Sequence, residues 1–366
     1  MTGPLPLATV LADETMDQRF LPQVRSLIED RRLLFTFVDV GSRNGVLELA
    51  DIAPYTTAYG FEPNPEEYDK LLTGNTDASK FGLIAPAFRK LTYLPYAISD
   101  TCGTALLYVT RGPGACGLLE PNFERLREIK WKGQRFHPNI GDDVFPVVRM
   151  EPVEVRTLES FAREHAIEHL DYLKIDVEGC EHEVLTGAGD LLRKVSVIKV
   201  EVCFIPFRRD QKLFSHIDLL LRDFGFDLLR YEIVPSQIGY KEREQPFTFG
   251  PSVGFPDRFG QPLSADAIYV NRGVDEETRA ARQAILLIEK NYLDEALFVL
   301  KTKVRYVDRA LLDELTLHRG DLKTRMIELG VRCYRQLVKL SRPWKSLRNW
   351  YGWRELARKN ARQTRY

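Results

Sequence analysis

The sequence predicts an α/β fold: a doubly wound, mostly parallel seven-stranded sheet followed by a C-terminal helical extension. Three observations lead there. The stretch Leu34 to Ala50, LFTFVDVGSRNGVLELA, is an apolar run that ends in an acid, turns on two glycines and continues with helical spacing. Strand-like runs then alternate with helix-like ones, the pattern of a parallel sheet whose ligands sit beyond the strand C-terminal ends. Past Val274 the strand signals stop and the chain becomes helical.

In chain order, residues 1–33 are an N-terminal helical segment, with a helix near Asp13 to Asp30, and residues 34–273 hold the sheet. Its strands are LFTFVDV, TTAYGFEP, LTYLPYAISD, LDYLKIDVEG, SVIKVEVCF, FDLLRYEIV and DAIYVNR. Helical patterns such as PNPEEYDKLLT, TLESFAREHA, EHEVLTGAGDLLRK and FSHIDLLLRDFG lie between several of them. Residues 110–150, rich in Gly, Pro and aromatics, break the rhythm and are expected as an irregular insertion on the substrate side. Residues 274–366 are expected as a small helical appendage. Its segment AARQAILLIEKNYLDEALFVLKTKV looks like one helical-repeat hairpin, and one copy makes no solenoid.

Lys+Arg and Asp+Glu both number 52 in 366 residues, so total charge argues against a nucleic-acid partner. The tail departs from this balance, with eight basic residues against one acid from Ser341 to Tyr366. Trp344, Trp350 and Trp353 lie among them, a composition compatible with packing, with an acidic protein contact or with weak membrane-surface binding. Five cysteines (Cys102, Cys116, Cys180, Cys203, Cys333) form no C-x-x-C pair, so neither a disulfide framework nor a zinc site is indicated. The first twenty residues have no basic start or long apolar core, and no run approaches the ~18 apolar residues of a membrane helix. A cytoplasmic protein is expected.

The first turn narrows the chemistry. A phosphate loop needs Lys-Ser/Thr after its second glycine and a dinucleotide fingerprint needs Gly-x-Gly-x-x-Gly, whereas the order here is Asp39-x-Gly41-x-x-x-Gly45. A carboxylate at the strand end repels a pyrophosphate but accepts hydrogen bonds from an ammonium or hydroxyl group. A nucleoside carrying an amino acid suits it, with S-adenosylmethionine as the candidate. Glu62, ending the second strand in YGFEPNP, stands where such folds place an acid on a ribose diol. In DYLKIDVEG the period of two puts Tyr172, Lys174 and Asp176 on one face. A lysine inside a central strand is costly unless paired, and Glu201 in SVIKVEVCF is the expected partner, in a structural or an active-site role.

The phrases FVDVGSRNG, GFEPNP, YAISD, GLLEPN, VRTLESF, LDYLKIDVEGCEHEVLTGA, VIKVEV, LLRDFGFDLL and ADAIYV occur in the order found in FkbM-type methyltransferases, class I enzymes that use S-adenosylmethionine on a Rossmann-like sheet. The resemblance spans roughly Phe35 to Asn271, and LKIDVEGCEHEVLTGA is its most specific part. It implies that Asp39, Gly41 and Gly45 surround the amino-acid end of the cofactor, that Glu62 holds the ribose and that Ala97 and Ile98 lie against adenine. The family has a small residue and Asn inside the first turn where this chain has Ser42 and Arg43; Arg43 is a candidate to pair with the methionine carboxylate.

Methyl transfer to oxygen is an in-line displacement that needs a base for the hydroxyl proton, and Asp176, Glu178 and His182 are the candidates. Glu181 and Glu183 suit the first turn of a helix by its dipole. Asp176 with Glu178 suits Mg²⁺, but no third ligand is evident, so no metal is expected. Trp131, His137, Asp142 and Asp143 are candidates to face a sugar ring, and Cys180 is a packing residue. The expected activity is O-methylation of a hydroxyl, on a sugar of a glycan or glycan precursor. The alternatives are a secondary-metabolite hydroxyl or a non-catalytic scaffold with a helical interaction module.

Overall fold

The computed structural model describes residues 16–131, 144–232, 237–240, 261–262 and 264–318. The candidates His137, Asp142 and Asp143 and the basic tail lie outside them, as does the side chain of Trp131. The chain forms two compact units, Met1–Asp308 and Arg309–Tyr366; in the second, the described element is the helix Arg309–His318.

The first unit holds the expected seven-stranded sheet. Its strands are β1 (Phe35–Val40), β2 (Thr56–Phe61), β3 (Lys90–Leu94), β8 (Leu170–Ile175), β9 (Val195–Cys203), β10 (Phe226–Glu232) and β13 (Ser264–Asn271), in the order β10-β13-β9-β8-β1-β2-β3. All pairings are parallel except those of β13, which runs against both neighbours. From β1 the chain steps outward to β2 and β3, then returns to place β8 on the other side of β1. The reversal between β1 and β8 is the switch point at which such sheets bind ligands. The remaining strands, β4 (Ala97–Ile98), β5 (Gly103–Thr110), β6 (Ile129–Trp131), β7 (Val147–Arg156), β11 (Gln237–Tyr240) and β12 (Gln261–Pro262), form two small sheets, β4-β7-β5 and β12-β11-β6.

One face of the large sheet presents Val38, Val40, Leu173, Ile175, Ile198 and Val200, packed with Phe161, Val184, Leu185, Ile217 and Leu221. These come from the helices Leu158–Glu164, Glu181–Thr186 and Phe214–Asp223. The residues outside the family resemblance prove integral to the other side. Helix Glu277–Glu289 packs on β8 and β9, with Ala280, Ala281, Ala284, Ile285 and Ile288 buried. Its Arg282 pairs with the buried Asp171 at 2.7 Å, and Gln283 Nε2 donates to the backbone oxygens of Ser196 and Asn271 at 3.0 Å. The compact unit therefore extends to Asp308, past the 273/274 boundary expected from the end of the strand signals.

Two local expectations are corrected. The segment after the first glycine turn is no helix: Gly41, Gly45 and Leu49 all have positive φ (96°, 101° and 62°), and the first helical element is a single 3₁₀ turn at Ala53–Tyr55. The apolar spacing serves burial instead, with Val46, Leu49 and Ile52 inside. LTYLPYAISD is two strands, because Pro95 ends β3 and lets Ala97–Ile98 join β7 in a different sheet.

Tight turns at the strand ends are pinned backbone to backbone. Asp176 N donates to Val40 O at 2.9 Å, and Gly41 N and Ser42 N donate to Phe61 O at 3.2 and 2.9 Å. A Cβ on Gly41 would fall 1.9 Å from Asp176 O. Gly41→Ala therefore combines a φ that L residues avoid with a backbone clash, and is expected to cost at least about 1–3 kcal/mol. Urea unfolding checks this; an unchanged midpoint would show that the β1–β8 approach tolerates a side chain.

Candidate active site

A cavity of about 450 Å³ opens at the switch point. Of the expected cofactor residues, Asp39, Gly41, Arg43, Gly45, Glu62, Ala97 and Ile98 all line it. Asp176 and Glu178 line it too. His182 does not. It sits on the helix Glu181–Thr186, where Thr186 Oγ1 lies 3.5 Å from its Nδ1 and the ring of His216 stands edge-on at 6.3 Å. Burial and the neighbouring His216 and Lys212 lower its pKa, which keeps it a neutral packing residue.

Glu62 is held by the turn that follows it. Its Oε1 accepts from Asn64 N at 2.8 Å, while the side chain of Asn64 accepts from Glu66 N and caps the helix Pro65–Thr73. GFEPNP thus ends a strand, fixes a carboxylate and starts a helix within six residues. Burial raises the pKa of Glu62 to about 7, partly offset by the Asn64 N–H.

Asp39 corrects the expected lysine pairing. Lys174 Nζ donates to Asp39 Oδ1 at 3.1 Å and stands 3.8 Å from Asp176 Oδ2, with no pair to Glu201. The reason is register: Lys174 lies opposite Asp39 on β1 and opposite Lys199 on β9. Two adjacent cations repel, so each takes an acid on its own side. Lys199 pairs with Glu48 and Asp266, both at 3.2 Å. Burial raises Asp39 to about 6 despite Lys174. Burial would depress Lys174, yet Asp39, Asp176 and Glu48 together raise it, so the pair is ionised at neutral pH.

Arg43 is already engaged by this chain's own acids: its Nε is 2.9 Å from Glu67 and its other end pairs with Asp77. Beside it, Asn44 Oδ1 and Ser42 Oγ are buried with no hydrogen-bond partner. An unsatisfied acceptor in a cavity wall is the kind of group an ammonium or hydroxyl ligand completes.

In the turn after β8, Glu178 has φ of 60°, followed by Gly179 at 119°. Val177 N and Gly179 N donate to Glu181 Oε1 at 3.2 and 2.9 Å, so Glu181 clamps this turn. Sequence reasoning missed Arg208, whose residue surface is 1% exposed. Its guanidinium donates to Ala115 O at 2.6 Å, Leu119 O at 3.4 Å and Glu178 Oε2 at 3.4 Å. Burial raises Glu178 to about 8, against the pull of Arg208. Glu201 is the carboxylate absent from the expected metal set. One oxygen each of Asp176, Glu178 and Glu201 lies within 4.8 Å of the others, a donor set that suits a divalent cation. The Cys180 thiol is buried and pushed far up, so it stays neutral and packs.

The sequence pattern of the Methyltransferase FkbM domain matches residues 39–228, which include the cavity acids Asp39, Glu48, Glu62, Asp176 and Glu178. The chain belongs to the FkbM methyltransferase family. It is 30% identical over 210 residues to Methyltransferase sdnD of Sordaria araneosa, a match covering 53% of this chain and 74% of that protein. Among solved structures, a precorrin-6y C5,15-methyltransferase from Geobacter metallireducens is 9% identical, with 68% and 86% of the two chains covered and a TM-score of 0.28. A magnesium protoporphyrin IX methyltransferase from Synechocystis with bound SAM is 11% identical, with 74% and 86% covered and a TM-score of 0.29. The chain is a methyltransferase, and S-adenosylmethionine is its methyl donor. The site fits that donor. Glu62 would offer a carboxylate oxygen to a diol, and mixed charges with the unpartnered Asn44 Oδ1 would suit an amino-acid zwitterion.

Asp39→Ala is expected to abolish S-adenosylhomocysteine binding and Glu62→Ala to weaken it by about 1–3 kcal/mol, read by titration calorimetry. The pH dependence has a defined sign. Glu62 titrates near 7 and Asp39 near 6, so acidification from pH 8 to 6 protonates first one acceptor and then the other, and affinity falls. The free protein responds oppositely to Glu62. Its native pKa exceeds the ordinary 4.5, so the native state binds the extra proton and this group's contribution to stability grows as pH falls from 7 to 4.5. Glu62→Gln should flatten both trends; a variant that keeps the full pH dependence of binding would remove Glu62 from the site.

Proposed function

We propose that this methyltransferase is an O-methyltransferase whose acceptor is a hydroxyl on a sugar of a glycan or glycan precursor. The observation that carries the reading is the pair Asp176 and Glu178, which line the same cavity as the donor residues, Asp176 with its backbone bonded to Val40 at the end of β1. S-adenosylmethionine supplies an electrophilic methyl group on a sulfonium. The chain's own task is to bring a hydroxyl oxygen in line with it and to receive the proton. Asp176 is 44% exposed at its side chain and reachable by an acceptor, with Lys174 at 3.8 Å. Glu178, with its pKa near 8, is matched to proton exchange near neutral pH. No nucleophile is needed, in keeping with a neutral Cys180.

The wall around these acids is made of Leu107, Pro113, Gly114, Cys116, Gly117 and Leu118. Apolar and small groups there suit the uncharged faces of a ring, and three acids disfavour an anionic acceptor. Free Cys102, Cys116, Cys180 and Cys203 support a reducing, cytoplasmic setting, and among the described residues no helix is long and apolar enough to cross a membrane.

Asp176→Asn is expected to keep S-adenosylhomocysteine affinity within about threefold while turnover falls by roughly 10²–10⁴, the usual worth of a general base. Assaying purified glycans and lipid-linked sugars for methyl incorporation tests the acceptor class; transfer to amine acceptors alone would overturn it. EDTA is expected to leave turnover intact. Activity lost to chelation and restored by Mg²⁺ would assign Asp176, Glu178 and Glu201 to a metal in place of the base.

A further inference from the structure

The residues matched to the family end at 228, yet the floor of the cavity is held from beyond them. Glu48 lines the cavity, and its carboxylate is surrounded: Tyr172 Oη donates to Oε2 at 2.7 Å, Lys290 Nζ donates to the same oxygen at 2.8 Å, and Lys199 Nζ lies 3.2 Å from Oε1. Lys290 is the residue immediately after the helix Glu277–Glu289, and its Nζ also lies 5.9 Å from the centre of the Tyr172 ring. The side chains of Lys290 and Glu48 are 4% and 6% exposed. A second bond fastens the same place, because Glu289 Oε1 accepts from Asp51 N at 3.1 Å.

We propose that Lys290 is a positioning residue for the donor site: by fixing Glu48 it sets where Lys199 and, through the shared floor, the Asp39–Lys174 pair meet the amino-acid end of S-adenosylmethionine. The loop Gly41–Ala50 shows why a lock is needed. It has no helix to stiffen it, and Leu49 takes a positive φ beside Glu48. Withdrawing Lys290 leaves Glu48 with a surplus of negative charge in a buried site, and the carboxylate must then compete with the ligand for Lys199 or move the loop. A helix outside the family domain is thereby part of the cofactor site.

The proposal rests on the cavity being the S-adenosylmethionine site, and the test separates the two. S-adenosylhomocysteine binding by calorimetry and melting temperature are measured on the full chain for the native protein, Lys290→Met, Lys290→Arg and Arg282→Gln. Arg282 anchors the same helix to Asp171 and does not line the cavity, so its variant reports structural loosening alone. Lys290→Met is expected to weaken binding about tenfold or more, Lys290→Arg to stay within about threefold, and Arg282→Gln to melt lower with native affinity. Native affinity in a folded Lys290→Met, or equal losses in Lys290→Met and Arg282→Gln, overturns the proposal. If Lys290→Met does not fold, the double variant Glu48→Gln with Lys290→Met, which strands no buried charge, is measured: weakened binding supports the lock and native binding overturns it. No binding by the native chain would instead overturn the cofactor assignment, and the proposal with it.

Discussion

A row of charges buried in the middle of the sheet constrains nearly everything around it. Asp39, Lys174 and Lys199 stand side by side on β1, β8 and β9, in strands made mostly of Val, Ile, Leu and aromatic residues. A buried charge is tolerated when it is paired and hydrogen-bonded, and the desolvation penalty of an unpaired one amounts to several kcal/mol. Lys174 takes Asp39, while Lys199 takes Asp266 from β13 and Glu48 from the segment after β1. Glu48 reaches Lys199 from a loop, where the apolar spacing suggests a helix. Glu48 in turn meets Lys290, which ties the helical extension to the sheet.

The same row gives the cavity two chemically different ends. Where Asp39, Glu48, Lys174 and Lys199 meet, both signs are present within a few ångströms and are held ionised by each other. Lysines around Glu48 outweigh its burial and lower its pKa, so Glu48 keeps its charge where Asp39, raised to about 6 by burial, begins to lose its own. At the other end Asp176, Glu178 and Glu201 crowd together, and burial raises Glu178 and Glu201. On the proposed reading the first end suits a zwitterion and the second suits proton exchange, with the β1–β8 turn contact between them.

Local sequence carried the strand ends and little of what crosses between them. Asp39, Glu62, Asp176 and Glu178 were legible because each ends a strand-like run just before a Gly or Pro turn, where a doubly wound sheet presents its ligands. Arg43 is a cavity residue as expected, but Glu67 and Asp77 engage it from the following helix and loop, and nothing local announces that. Lys174 signalled a partner by its cost within an apolar strand. Choosing Asp39 over Glu201 required the registers on both sides, which depend on tertiary packing. Glu48 was disguised by apolar neighbours at helical spacing, and Lys290 by its place at the end of an amphipathic helix, where a cation is ordinary. His182 looked functional because it follows the acid-rich turn, but helical rotation carries it away from the cavity.

Arg208 links one part of the cavity wall to the carboxylate of Glu178. A fully buried guanidinium has five N–H donors to satisfy, and here they reach carbonyls of Ala115 and Leu119 as well as the carboxylate of Glu178. Those carbonyls belong to the segment that supplies Pro113, Gly114, Cys116, Gly117 and Leu118 to the cavity wall. The Arg208 stem also lies against the Gly179 turn, where an added Cβ would come within 2.9 Å of it. A shift of the backbone at Ala115 or Leu119 is therefore transmitted to the carboxylate of Glu178, since all three share one buried donor. This part of the cavity wall and that carboxylate can be displaced together, but neither can move alone without leaving an Arg208 N–H unpaired in the core.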